Sequence, residues 1–271
     1  MTTHCKLDIF NNTKSEIQAS ATFSFPNPIL PIDTKHKVIV TRADYSVNSL
    51  PIHYCDDDVT YTLRAVNNPT TILQTFTFRK GFYKSIREIL NEINNNISLE
   101  IGLFKYNTNT GKLTFISKKG AAATHALYFP YYLKNLFDFF NWDSYNEFFV
   151  LHEKDTANDT PQEFSTIDRF FNRKAIRIEA VGLGAKSHIQ NDTIQGYSSS
   201  TLLTDQVLLG NTTDRLVYIP SQFREIELLN NDRINSITIN VSVEWANGKI
   251  TPLTLSPDSY VNILLMFQKI T

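Results

Sequence analysis

Residues 234–269 constrain the fold more than any other stretch of the chain. Ile237, Ile239, Val241, Val243 and Trp245 project one way, and Thr238, Asn240, Ser242 and Glu244 the other. Strict alternation of this kind is a strand with one face in a core and one in water. Asn247-Gly248 follows at once, a pair that tolerates the positive φ of a tight hairpin turn. The return, residues 249–255, carries Pro252, which places it at an edge or a bulge. Ser256-Pro257-Asp258 makes a second turn. Residues 260–267 are apolar on both faces, with Val261, Ile263, Leu265 and Phe267 on one and Leu264 and Met266 on the other. A strand of that composition is central or covered. The sequence therefore predicts that the last strand lies inside its sheet, with earlier strands arranged around it.

Strand patterns also open the chain. Residues 7–10 are a short strand or a docked arm, residues 18–25 alternate up to Pro26-Asn27-Pro28, and residues 37–47 form a third strand. Pro51 and Asp56-Asp57-Asp58 mark a surface crossing and a domain junction. Strands at 59–66 and 75–78 then flank a loop at 67–69. Gly81-Phe82-Tyr83 leads into a helix with Ile86, Ile89, Leu90, Ile93 and Ile97 on one face. Ser85 and Glu88 have capping-box spacing, and Asn94-Asn95-Asn96, poor helix formers, are expected to end the helix. Residues 103–106 and 112–117 form a hairpin around Asn109-Thr110-Gly111.

Residues 128–149 are dense in aromatic rings, with a helical turn expected over 133–140. These rings either fill a small core or face a partner subunit. The candidate contact residues are Tyr131, Tyr132, Phe137 and Trp142, joined by Tyr197 from a long polar loop at 184–210. Residues 152–163 read as a linker or loop, and strands follow at 175–181, 216–219 and 223–229. No repeat of period 20–50 is present. The prediction is a mainly β chain: a single jelly-roll β-sandwich with an inserted small α/β domain. Residues 1–57 and 151–271 supply the jelly roll, and residues 58–150 the insertion.

Composition narrows the function. The formal net charge is -1 over 271 residues, whereas coating a nucleic acid needs a basic excess. No apolar run approaches the ~18–20 residues of a membrane span, and the first six residues lack a signal peptide's apolar segment. Two cysteines, Cys5 and Cys55, imply no disulfide framework and fit a reducing compartment. Gly182-Leu183-Gly184-Ala185-Lys186-Ser187 is similar to a phosphate loop, but Ala185 stands where that loop needs a glycine before the lysine. His53, Cys55 and Asp56-Asp57-Asp58 contain metal-ligand types, yet a solvated acidic turn explains them better. The six histidines show no metal-ligand spacing, and no Gly-x-Ser-x-Gly elbow occurs. No enzyme, cofactor or metal is expected.

Two regions together carry a family resemblance. One is Gly81-Phe82-Tyr83, the helix with Ile89-Leu90-Asn91-Glu92-Ile93-Asn94, Lys105-Tyr106, Gly111-Lys112-Leu113 and the segment ending in Phe139-Phe140. The other is Leu216-Val217-Tyr218-Ile219-Pro220, residues 234–243, Asn247-Gly248-Lys249-Ile250 and Leu264-Leu265-Met266-Phe267. In this order the chain resembles the penton, or minor capsid, proteins of virophages and Polinton-like viruses. It departs at Phe139-Phe140, where the family tends to have Leu-Gly-Phe and so a backbone turn that Phe139 makes less readily. The resemblance implies an upright jelly roll with an inserted domain on top. It further implies a homopentamer at the fivefold vertices, surrounded by a double-jelly-roll major capsid protein. It places the chain in the virion capsid, assembled in the host cytoplasm. The alternative is a β-sandwich receptor- or carbohydrate-binding module, since aromatic rings stack on sugars as well as on subunits.

Overall fold

The alternating stretch near the C-terminus becomes two strands, Ser236–Trp245 and Tyr260–Lys269, and each enters a different sheet. The computed structural model describes residues 2–30, 35–46, 50–65, 67–97, 101–117, 125–137, 143–145, 148–151, 159–162, 164–183, 200–207, 216–228 and 234–270. They form two compact units: Met1–Leu50 with Arg173–Thr271, and Pro51–Asn172. The first is the jelly-roll sandwich and the second a small α/β unit.

One sheet of the sandwich runs Thr2–Phe10, Tyr260–Lys269, His36–Tyr45, Leu216–Tyr218, with Ile226–Glu227 also against His36–Tyr45. The final strand is thus paired on both sides, as its doubly apolar pattern predicts. The other sheet runs Ser200–Val207, Arg173–Val181, Ser236–Trp245, all antiparallel. Ile237, Ile239, Val241, Val243 and Trp245 are all buried, each contributing roughly 1.5–3 kcal/mol of transfer free energy. Gln206 on one sheet donates to the Tyr45 hydroxyl on the other at 2.7 Å, and burial pushes the Tyr45 phenol up.

The remaining edge of Ser236–Trp245 is shared. Ser20–Ser24 pairs with its first half and Ile250–Pro252 with its second. They meet at Val241, whose N–H donates to Ala19 O while its own carbonyl accepts from Leu253 N, both at 2.9 Å. Pro252 is therefore an edge residue, as predicted. The hairpin turn is longer than a two-residue one. Gly248 N donates to Trp245 O and Trp245 N to Lys249 O. Gly248 alone takes a positive φ, 83°, and Asn247 Oδ1 caps Lys249 N. This is a three-residue loop with glycine in the left-handed position.

Asn11 is buried without a hydrophobic role. Its amide donates to Ser15 O and Leu255 O, both at 2.8 Å, and its carbonyl accepts from Thr13 N and Thr13 Oγ1. Its backbone bonds Ser259 O and Asp258 N. Asn11→Ala removes one buried and three part-buried hydrogen bonds. We expect a loss of about 2–3 kcal/mol, seen as a lower urea midpoint with an unchanged m-value. An unchanged midpoint would show that the network adds nothing.

The second unit builds its core on a five-stranded antiparallel sheet: Asp143–Tyr145, Phe148–Leu151, His125–Pro130, Val59–Ala65, Asn68–Phe78. A three-stranded sheet of Asp159–Pro161, Lys112–Ser117 and Gly102–Asn107, and a pair His53–Cys55 with Gly81–Tyr83, complete it. Helix α1 (Ile86–Ile97) buries Ile86, Ile89, Leu90, Ile93 and Ile97, as the periodicity requires. It packs against Gly102–Asn107, Asn68–Phe78 and Gly81–Tyr83, strands of its own unit. Ser85 Oγ caps Glu88 N, but Glu88 reaches back to Lys84 N, one residue before the usual capping-box partner. Helix α2 is Tyr131–Phe137. Asn172 closes the unit against its start: its N–H donates to Ile52 O, and its side chain brackets Tyr54 N and Tyr54 O at 2.9 and 2.8 Å.

Helix α1 runs through Asn94, Asn95 and Asn96, and its last residue is Ile97, directly after them. Asn94 clamps Phe104 N and O at 2.7 and 2.8 Å, and Asn96 donates to the Tyr61 hydroxyl. Several expectations are corrected. Within the predicted linker 152–163, Asp159–Pro161 pairs with Lys112–Ser117, so this segment and the following short helix Ile167–Phe170 belong to the second unit. Within the predicted loop 184–210, Ser200–Val207 is a sandwich strand. Asn68–Phe78 begins well before the predicted residue 75, and Thr2–Phe10 is a full edge strand. Phe139-Phe140 lies outside the described residues.

Candidate subunit-contact surfaces

The aromatic stretch divides between core and surface. Phe137 is fully buried, with its ring 4.9 Å from Phe104, 5.7 Å from Phe129 and 5.8 Å from Phe170. Its assignment as a contact residue is therefore corrected: position 137 ends α2 on the face that closes the unit's core. Tyr132, the next turn's neighbour, is half-buried and engaged by His53. Tyr128 and Phe129 are buried, and the Arg64 guanidinium stands 4.5 Å over the Tyr128 ring. Tyr131, at the start of α2, is 67% exposed. Trp142 and Tyr197 lie outside the described residues.

A surface that sequence patterning missed lies on Asn68–Phe78, an edge of the five-stranded sheet. Its register against Val59–Ala65 shifts at Leu63/Arg64 and again at Arg64/Ala65. Leu73 is an extra residue in the first bulge, and bulges re-aim side chains. Ile72 and Leu73 are exposed, 52% and 47%, and residues 70–75 carry no charge. Three edges of the sandwich carry charge or proline. Lys6 and Asp8 pair at 3.1 Å on Thr2–Phe10, Pro252 ends its strand, and Asp205 lies on Ser200–Val207. The clue in the sequence was the uncharged, β-branched run Thr70-Thr71-Ile72. In the sandwich, Val217 on the strand beside His36–Tyr45, and Ile219 and Phe223 in the run that follows it, are also exposed.

The second unit also holds a buried polar chain. His53 is buried, with Nδ1 3.2 Å from Phe170 O and Nε2 2.6 Å from Tyr132 Oη. A carbonyl only accepts, so Nδ1 carries the proton and Nε2 accepts from the Tyr132 hydroxyl. Burial lowers the His53 pKa to about 4, against a smaller opposing effect of the Phe170 carbonyl. Cys55, beside Tyr132, donates to Asp57 O at 3.1 Å. Burial pushes its thiol up, which makes it a poor nucleophile. The acidic run Asp56-Asp57-Asp58 forms the turn after His53–Cys55, and Asp58 Oδ1 accepts from Lys80 N. Among the described residues no three His, Cys, Asp or Glu side chains converge to hold a metal, and no helix is long and apolar enough to cross a membrane. Gly182 and Leu183 follow Arg173–Val181, and the rest of the phosphate-loop-like run lies outside the described residues.

A jelly roll carrying an α/β unit between its two halves is a fold found in virophages. The mavirus penton protein, known from a crystal structure of its selenomethionine-labelled form, matches with a TM-score of 0.71 and 17% identity over 100% of both chains. A chain of the Sputnik virophage, from a cryo-EM structure at 3.5 Å, matches with a TM-score of 0.64 and 16% identity over 98% of both. No protein-family model and no curated protein sequence matches this chain. At these identities the likeness establishes the fold, and at that level the resemblance to virophage penton proteins holds.

Proposed function

We propose that the protein is a structural capsid subunit, the penton that fills the fivefold vertices of an icosahedral virion as a homopentamer. The supporting observation is that the match to the mavirus penton protein covers the whole of both chains, so it includes the α/β unit as well as the jelly roll. Such a role requires surfaces and no catalytic group. A ring of five uses heterologous contacts, one patch meeting a different patch on the next copy. The uncharged bulged edge at Ile72 and Leu73 is one candidate patch, and exposed Tyr131 is another. The surrounding shell is a double-jelly-roll major capsid protein, and assembly takes place in the host cytoplasm. A net charge near zero limits repulsion between copies.

The test is co-expression with the major capsid protein of the same virus. Closed particles with density at the vertices are expected, and omitting this chain should leave vertices empty or particles open. Ile72→Asp combined with Leu73→Asp, or Tyr131→Asp, should reduce vertex occupancy by about tenfold or more while leaving the isolated subunit folded, since each is a surface change. Complete particles without the chain would overturn the proposal. A second reading, a sugar-binding module, draws support from Tyr54 and Phe82, stacked 4.8 Å apart with Phe82 half-exposed. Glycan binding by the purified chain, lost in Phe82→Ala, would favour it.

A further inference from the structure

Three separate elements of the second unit meet at one imidazole. His53 lies on the strand His53–Cys55, Tyr132 on α2, and Phe170 ends the short helix Ile167–Phe170. Both ring nitrogens are committed, Nδ1 to the Phe170 carbonyl and Nε2 to the Tyr132 hydroxyl. Among the described residues no counter-charge touches the ring. Facing the ring are Tyr83 from Gly81–Tyr83, its centroid 6.3 Å away, and Tyr132 at 6.1 Å. Cys55 follows on the same strand, buried, with Asp56 and Asp57 in the turn beyond it. Asp168 and Arg169 of the short helix are exposed, and Arg169 Nη1 donates to Asn135 O. The partners of the ring among the described residues are thus one hydroxyl and one carbonyl.

We infer that His53 is an acid-sensitive latch that holds α2 and the Ile167–Phe170 helix to the rest of their unit while the imidazole is neutral. Protonation adds a second N–H donor where the ring now accepts from Tyr132. The Tyr132 O–H must then rotate away, towards Cys55, and a full positive charge is left in an apolar interior. The unfolded chain hydrates that charge freely. His53 ionises at about 4 in the folded chain against an ordinary 6.5. The histidine therefore supports the fold fully above pH 6.5, and that support fades as pH falls towards 4. The consequence is graded loosening on mild acidification, with α2 and its exposed Tyr131 released first. The latch belongs to the folded chain and does not depend on its occupying a vertex.

The experiment uses the full chain. Hydrogen exchange of α2 and of residues 167–170, corrected for intrinsic rates, is compared at pH 7.5 and pH 5, and the His53 ring proton is titrated by NMR. The closing equilibrium of these segments is expected to weaken by about 30-fold at pH 5, with the ring titrating below 5. His53→Gln, neutral at every pH, should lose most of that difference. A ring midpoint near 6.5 in the folded chain, or equal protection at both pH values, would overturn the latch. So would a His53→Gln chain that keeps the full difference. If His53→Gln does not fold, the titration and exchange of the unaltered chain decide the matter.

Discussion

Trp245→Ala is expected to lower the stability of the sandwich by about 3–5 kcal/mol. Trp245 is wholly buried at the end of Ser236–Trp245, and its indole N–H donates to Thr251 Oγ1 at 2.9 Å. Truncation therefore opens the largest side-chain volume in that sheet and leaves a buried hydroxyl without its donor. The residue also fixes the hairpin, since its backbone bonds both Gly248 and Lys249. The measurement is urea denaturation followed by a probe in the sandwich, because two units need not unfold in one step. Trp245→Phe, which keeps most of the ring but not the donor, should cost a smaller part of that loss. Equal losses for the two variants would mean that the hydrogen bond, and not packing, sets the effect.

Phe104→Ala should cost the second unit about 3–5 kcal/mol. Its ring contacts Phe115 and Phe137, both at 4.9 Å between centroids, and Phe129 at 6.1 Å. Its backbone is the pair of groups that Asn94 clamps from α1. A cavity here loosens the helix, the three-stranded sheet and α2 together. Limited proteolysis should then cut within residues 51–172 at denaturant concentrations that leave Ser236–Trp245 protected. Resistance equal to that of the unaltered chain would show that neighbouring rings collapse into the space.

The strands that close the sandwich were legible because each obeys a single periodicity. Ser236–Trp245 alternates cleanly and Tyr260–Lys269 is apolar on both faces, yet each is paired on both sides, so the pattern told which faces are buried and not which strands lie at an edge. Helix α1 was legible for the same reason. What the sequence concealed was held by polar side chains acting at long range. Nothing near Asn94 announces that its amide will replace a strand partner for Phe104. Nothing near Asn11 predicts a bond to Leu255, 244 residues away. Asp159–Pro161 is too short and polar to register as a strand before its partner is known. Aromatic density marks a core as readily as an interface. Position 137 points inward and position 131 outward on one short helix, and only the helix's seating distinguishes them. The bulged edge at Ile72-Leu73 escaped notice because a bulge is a property of pairing.

The bracket at Asn172 bears on the order in which the chain can fold. Asn172 bonds Ile52 and Tyr54, so the folded second unit brings its first and last residues side by side. It is also one continuous run of chain, whereas the sandwich is assembled from two separated runs. On a ribosome the continuous run is finished first. Before it folds, the two runs of the sandwich are separated by about 120 residues of loose chain; afterwards they are separated by the width of one hydrogen-bonded side chain. On a logarithmic dependence of closure entropy on loop length, that shortening is worth about 3 kcal/mol to the pairing of Thr2–Phe10 and His36–Tyr45 with a strand made last. The second unit is thus a splint for the first, set during synthesis.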